Sequence, residues 1–196
     1  MENSPLTAAE LQALYGQPRE LVAEAWAAGL EATTRAFIAA SPFLLLSSIN
    51  SEGFIDMSPR GGSPGFINVI DDHNIEFLDQ LGNRKIHTFR NLSDNNKVGL
   101  CFMIPGVKEV LRAYGVAKVV NDLVTIERLG GVPERNRAAV KITLHKVFPH
   151  CSNALNLAGL WSPESWLNAK DEGLPSLLEM ARSLAESRSD NGWGDA

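Results

Sequence analysis

The amino-acid sequence predicts a mainly β fold with flanking helices, an α+β chain built on a six-stranded antiparallel barrel. Three observations predict it. From residue 43 to residue 147, short runs rich in β-branched and aromatic residues alternate with turn residues at hairpin spacing. The first forty residues, and those after residue 150, carry helix-capping and helix-stripe patterns instead. At 196 residues the chain can bury one core without disulfides or a structural metal. We therefore expect one domain over 1–196, divided into N-terminal helices (1–40), the barrel (41–150), a C-terminal helical segment (151–186) and a disordered tail (187–196).

The helices come first. Thr7-Ala8-Ala9-Glu10 is a capping-box pattern, and Gly16 offers a stop. Pro18 suits the first turn of a second helix, which would carry Leu21, Val22 and Trp26 before Gly29. A third helix, about 31–39, would bring Phe37 and Ile38 to the core.

The strands follow. Residues 43–49 and 54–58 flank Asn50-Ser51-Glu52-Gly53, a hairpin pattern. Residues 66–70 and 75–78 flank Asp71-Asp72-His73-Asn74, and residues 98–104 and 110–120 flank a Pro105-Gly106 turn. A last strand is expected over 139–147. Hairpin connections of this kind suggest a barrel closed or nearly closed, which removes most exposed edges. Short helices are expected at 84–92, 123–129, 163–169 and 175–185, the last with Leu177, Leu178, Ala181, Leu184 and Ala185 on one stripe.

Composition narrows the function. The apolar fraction of 44% and charged fraction of 21% are those of a soluble globular protein. A net charge of −5 and a pI near 5.4 argue against a large phosphate-neutralising surface for nucleic acid, while leaving room for one basic pocket. The two cysteines, Cys101 inside an apolar run and Cys151, fit a reducing, cytoplasmic compartment with Cys101 as a buried thiol. The start of the chain lacks the basic and apolar regions of a signal peptide, and the stretch 42–46 is too short to cross a bilayer.

Two segments could carry chemistry. Residues 56–66, Asp-Met-Ser-Pro-Arg-Gly-Gly-Ser-Pro-Gly-Phe, form a rigid loop that can bring backbone amides and Arg60 against an anion; the alternative is a plain turn with a solvated arginine. Residues 79–85, Asp-Gln-Leu-Gly-Asn-Arg-Lys, follow a strand and open a helix, with Asn83 as the expected N-cap. Cations in a first helical turn oppose the macrodipole, so Arg84 and Lys85 there fit a phosphate monoester better than they fit stability. Ser58, Arg60, Asn83, Arg84 and Lys85 are the candidates from these two loops. There is no G-x-G-x-x-G turn and no Walker A loop to compete with them. His145, His150 and Cys151 match no standard zinc spacing, His87 reads as a helix-surface histidine, and no Ser/His/Asp arrangement stands out.

Taken as an ordered set, five motifs are specific. They are Phe37-Ile38-x-x-Ser41-Pro42-Phe43, then S-P-R-G-x-x-P-G-F from Ser58, then G-N-R-x-x-x-T-x-R-N from Gly82. P-G-x-x-E-x-L-R-x-x-G from Pro105 and His150-Cys151 with Leu160-Trp161 complete it. Over residues 36–161 the chain resembles the FMN-dependent branch of the pyridoxamine 5'-phosphate oxidase-like flavoproteins. The resemblance implies a split β-barrel homodimer with FMN at the subunit interface and no membrane or nucleic-acid partner. It implies that Arg60, Arg84 and Lys85 hold the flavin phosphate, with Ser58 and Asn83 as hydrogen-bonding neighbours. The backbone of Met57, Ser58, Pro59, Arg60 and Gly61 would lie along the isoalloxazine, and Trp161 would approach it across the dimer.

One departure matters. Related proteins carry a Lys and then an Arg-Ser pair between His-Cys and Leu-Trp, where this chain has Asn153, Leu157 and Ala158. The expected function is thus an FMN-binding oxidoreductase of unknown substrate, with no side chain assigned as acid or base. The alternatives are a non-catalytic flavin-binding or sensor protein, or a barrel that holds haem or a deazaflavin.

Overall fold

The computed structural model describes residues 4–80, 82, 84–132, 134–168 and 171–190. These fall into two compact units, one up to Ala154 and one from Leu155 onward. None of the helices described is long and apolar enough to cross a membrane.

The first unit opens with α1 (Ala8–Tyr15), which begins where the capping box places it. The Thr7 hydroxyl accepts from the Glu10 amide (3.3 Å), and the Thr7 amide donates to the Glu10 carboxylate (2.8 Å). The second helix is shorter than the sequence predicts. α2 (Glu20–Ala23) is a single turn that starts after Pro18 and excludes Trp26. Leu21 and Val22 are exposed, so no packing extends that turn. α3 (Ala32–Ala40) seats Ile38 in the core, with Phe37 packed at its margin.

Seven strands follow, one for each run that the sequence marks and one more than the six-stranded barrel expected. They are β1 (Phe43–Ile49), β2 (Ile55–Gly61), β3 (Asn68–Val69), β4 (Asn74–Leu78), β5 (Lys97–Met103), β6 (Val110–Val120) and β7 (Ala139–His150). α4 (His87–Asp94) lies between β4 and β5, and α5 (Leu123–Arg128) between β6 and β7. All ladders are antiparallel and form one sheet in the order β2-β1-β5-β6-β7-β4-β3. The sheet does not close, because β2 and the two-residue β3 are its edges.

Strict alternation in β1 turns Leu44, Leu46 and Ser48 inward. In β5 it turns Val98, Leu100 and Phe102 inward, where they meet Ile75, Phe77 and Ile142 from β4 and β7. The opposite phase puts Cys101 on the outer face, half-buried rather than buried, as a free thiol whose pKa partial burial pushes up. A β-bulge between Tyr114 and Gly115 bends β6 against β7 so closely that a Cβ at Gly115 would lie 2.0 Å from the Thr143 carbonyl.

Segment 56–66 departs from expectation. It is strand, not loop, as far as Gly61, which pairs with Phe43. Pro59 is tolerated because β2 is an edge strand, where a missing amide donor breaks no ladder.

α6 (Asn153–Leu157) spans the change of unit. In the second unit, a 3₁₀ turn (Pro163–Ser165) stands where a helix over 163–169 is expected. α7 (Leu177–Asp190) carries the predicted stripe and continues four residues into the segment read as tail. The rest of that segment, 191–196, lies outside the described residues.

Candidate functional site

The inward face of β2 is the natural start of a site. Asp56, Ser58 and Arg60 alternate onto it at a sheet edge, where no further strand covers them. Opposite lies the chain that leaves β4 and enters α4. A cleft of about 560 Å³ opens between them, lined by Asp56, Met57, Ser58 and Arg60 on one side. Asp79, Arg84, Lys85 and His87 line the other side, and Arg137, from the approach to β7, adds a third wall.

Arg60 is the most informative side chain. It is about one-fifth exposed, and its Nη1 donates to Asp79 Oδ1 at 3.3 Å. Its Cζ lies 5.7 Å from the centre of the Phe89 ring, which limits where the guanidinium can turn. Its Nε is shut off from solvent with no hydrogen-bond partner among the described residues. A buried, unsatisfied donor of a charged group is costly, and such atoms in native sites call for an explanation. Asp79 is about one-quarter exposed, and burial pushes its carboxyl above the ordinary carboxylate range, against the pull of Arg60.

The segment that delivers Arg84 and Lys85 is not built as the sequence predicts. α4 begins at His87, three residues after the expected first helical residue, with Ile86 at its N-cap position and no capping side chain. Arg84 (φ 62°) and Ile86 (φ 49°) both adopt left-handed backbone, and Ile86 is β-branched. Non-glycine residues held in that region cost roughly 1–3 kcal/mol each, and such residues concentrate at functional sites. The turn keeps Lys85 at the cleft rather than on a helix face. Asn83, the expected cap, lies outside the described residues.

α4 is clamped to the sheet by Asn91, a buried residue whose amide donates to the Ser48 hydroxyl (2.9 Å) and to Asp56 Oδ2 (3.3 Å). One side chain thereby ties the helix, β1 and the cleft wall of β2 together. Of the expected site residues, Met57, Ser58, Arg60, Arg84 and Lys85 line the cleft. Pro59 and Gly61 sit on β2 but are not among its lining residues. Trp161 belongs to the second unit and is not among them either. Sequence patterning assigns no role to Arg137, Asp56, Asp79 or Asn91. Asp56 and Asp79 open the two segments singled out for chemistry and Asn91 ends the G-N-R-x-x-x-T-x-R-N run, while Arg137 lies in no motif.

The molecule is an open antiparallel β-sheet protein with a cleft of mixed charge, richer in cations, at one edge of the sheet. Residues 30–151 match the pyridoxamine 5'-phosphate oxidase family, and the chain belongs to that family. No curated protein matches the sequence. Among solved structures, HupZ of Group A Streptococcus is similar in fold, at 15% identity and a TM-score of 0.51, covering 63% of this chain and 95% of HupZ. A histidine-to-alanine variant of HupZ gives 14% identity and a TM-score of 0.50, covering 61% and 98%. A Clostridium acetobutylicum protein related to general stress protein 26, of the pyridoxinephosphate oxidase family, gives 12% identity and a TM-score of 0.47, covering 63% and 94%.

Proposed function

We propose that the cleft binds FMN by its terminal phosphate and that the protein is a cytoplasmic, homodimeric, flavin-dependent oxidoreductase. The observation that carries this reading is Arg60, held by a single long contact on the wall of a cleft that Arg84 and Lys85 also line. A phosphate monoester is a doubly charged acceptor with three oxygens. It fits a guanidinium held by one long contact, and its charge is opposite to that of the cations lining the cleft. The cleft volume is within the range that encloses cofactor-sized ligands.

In this reading Arg60, Arg84 and Lys85 hold the phosphate, and Ser58 offers its hydroxyl to the same end of the ligand. Asn83 and Trp161 are part of the proposal on the strength of the family resemblance. The backbone of β2 from Met57 to Gly61 borders the ring system. When bound, the flavin supplies hydride or electron-pair transfer, while the chain binds, orients and shields it. The substrate is left open: Asn153, Leu157 and Ala158 replace the basic and polar residues that would meet a substrate anion. Flavin binding and turnover are therefore separate claims, and the first does not establish the second.

The outer sheet face supports the homodimer. Leu45, Met57, Cys101, Tyr114 and Phe148 surround a shallow depression of about 250 Å³, and Met57 is 62% exposed. Apolar patches of this kind on a sheet mark interaction surfaces. Light scattering after gel filtration should return twice the chain mass, and Tyr114→Arg should shift it to the monomer.

The decisive experiment is to purify the full chain, record its absorbance, denature it and weigh the released ligand by mass spectrometry. A flavin spectrum and the mass of FMN are expected. Colourless protein that takes up no added FMN sinks the reading, and a Soret band redirects it to haem. The double variant Arg60→Ala, Arg84→Ala should lose the flavin, since charge-assisted phosphate contacts are worth roughly 1.5–3 kcal/mol each. Arg90→Ala, which alters an exposed residue outside the cleft lining, should stay yellow.

A further inference from the structure

Asp79 is a carboxylate in a cleft otherwise suited to an anion. It is not a remote neighbour, because its Oδ1 is 3.3 Å from Arg60 Nη1 and it lines the same walls. Nor is it placed by accident. Its amide donates to the Ala138 carbonyl (2.9 Å), and its own carbonyl accepts from the buried Asn136 amide (3.0 Å), so the backbone on either side of the carboxylate is pinned to the lead-in of β7.

The pair is nevertheless poorly made. One long contact engages a single Nη, while Arg60 Nε has no partner among the described residues. A guanidinium offers a fork of parallel donors, and a carboxylate held to optimise the pair would take two of them.

We propose that Asp79 is a built-in competitor for the anion at Arg60: the phosphoryl ligand gains the guanidinium only by displacing this carboxylate or after it takes up a proton. The inference rests on the reading of the cleft as a phosphate site. The other charged groups facing that space are Arg60 and Asp56 from β2, Arg84, Lys85 and His87 from the approach to α4, and Arg137 from the approach to β7. Of the two acids, Asp79 is the one paired with Arg60, while Asp56 accepts from Asn91 at 3.3 Å. Partial burial favours its neutral form and raises its pKa above the ordinary carboxylate value. The device makes ligand retention depend on pH in a sense opposite to that of the ligand itself. A phosphate monoester loses its second proton near about pH 6, so on a purely cationic site binding tightens as pH rises. Asp79 ionises too, and its growing claim on Arg60 flattens or reverses that trend.

The test is a fluorescence titration of the ligand-free full chain with FMN, and in parallel with riboflavin, which lacks the phosphate, between about pH 5 and pH 8. Wild type is compared with Asp79→Asn and Arg60→Ala. Asp79→Asn should bind FMN about tenfold more tightly than wild type at the alkaline end, with the two curves converging as pH falls. Riboflavin should show no such difference. An Asp79→Asn variant that binds FMN no better at the alkaline end, or that shifts riboflavin equally, overturns the competitor. If FMN still needs Arg60 in that outcome, the phosphate site stands and only the role of Asp79 falls. If neither wild type nor Asp79→Asn binds FMN, both readings fall. Should that variant not fold, Asp79→Ser is judged by the same two outcomes: tighter FMN binding at the alkaline end with riboflavin unchanged supports the proposal, and no gain for FMN overturns it.

Discussion

Two arginine–carboxylate pairs in the first unit use the same chemistry to opposite ends. Glu76, in β4, is fully buried; Arg128 Nη1 and Nη2 donate to its two oxygens at 2.5 and 2.9 Å, and Asn68 adds a third bond at 2.8 Å. Asp79, three residues further on, meets Arg60 through a single 3.3 Å contact. Burial pushes the Glu76 carboxyl upward, but the hydrogen bonds of Arg128 and Asn68 and the charges of Arg128 and Lys141 outweigh it and hold the pKa below its ordinary value. For Asp79 burial wins. The saturated pair has nothing left to offer a ligand. The starved pair is held by one long contact, which a ligand can displace. The lesson is that a salt bridge's function is read from its unmet donors rather than from its presence.

The comparison is most exposed to failure at Arg128. Arg128→Ala leaves a buried carboxylate that still accepts from Asn68, and removing one member of a buried pair costs roughly 3–5 kcal/mol. Because about half of the Arg128 side chain is exposed, the low end applies, about 3 kcal/mol by urea denaturation. A loss under about 1 kcal/mol would place this pair with ordinary surface bridges and remove the contrast.

Acid sharpens the same point. Glu76 has a folded-state pKa below its unfolded value, so its contribution is fully present above the unfolded value, near about pH 4.3, and is lost as pH falls through the folded one. The urea midpoint of wild type should therefore drop on acidification below about pH 4, and Glu76→Gln should abolish that part of the drop. Asp79 has the opposite sign: with its folded pKa raised, its ionised form carries a cost at neutral pH that is relieved as pH falls through the folded value. Asp79→Asn should not reproduce the acid loss.

How far these features are legible in the sequence follows from what each depends on. Alternation in β1 and β5 reads correctly because packing on one face imposes it residue by residue. The convergence of Arg60 with Arg84 and Lys85 is legible as an ordered set of motifs. The start of α4 is not, because left-handed Arg84 and Ile86 defy the propensity of their residue types and only the surrounding fold imposes them. β2 reads as ending at Ser58 because proline looks like a break until the strand is known to be an edge. β3 lies inside the run 66–70 that the hairpin pattern marks, but only two of its residues pair, because at the sheet edge a single neighbouring strand holds it. Arg137 reaches the cleft from a segment far along the chain from Arg60, and nothing local announces it.

The smallest expected effect is the one that tells most about Arg60. Arg60→Ala removes a single long ion-pair contact and the approach to Phe89, but it also removes a buried donor with no partner among the described residues. The losses are those of a weak pair, and the relief of an unsatisfied group offsets part of them. Asp79, left without its cation, has room to protonate rather than to strain the fold, because burial already favours its neutral form. The net change in unfolding free energy should therefore stay within about 1 kcal/mol of wild type, in a variant that is expected to bind FMN more weakly. Urea denaturation of the ligand-free proteins measures it, since bound flavin would add its own stabilisation to wild type alone. A destabilisation as large as that of Arg128→Ala would mean that Arg60 is held for the fold, and the division between a structural pair and a ligand-ready pair would not survive.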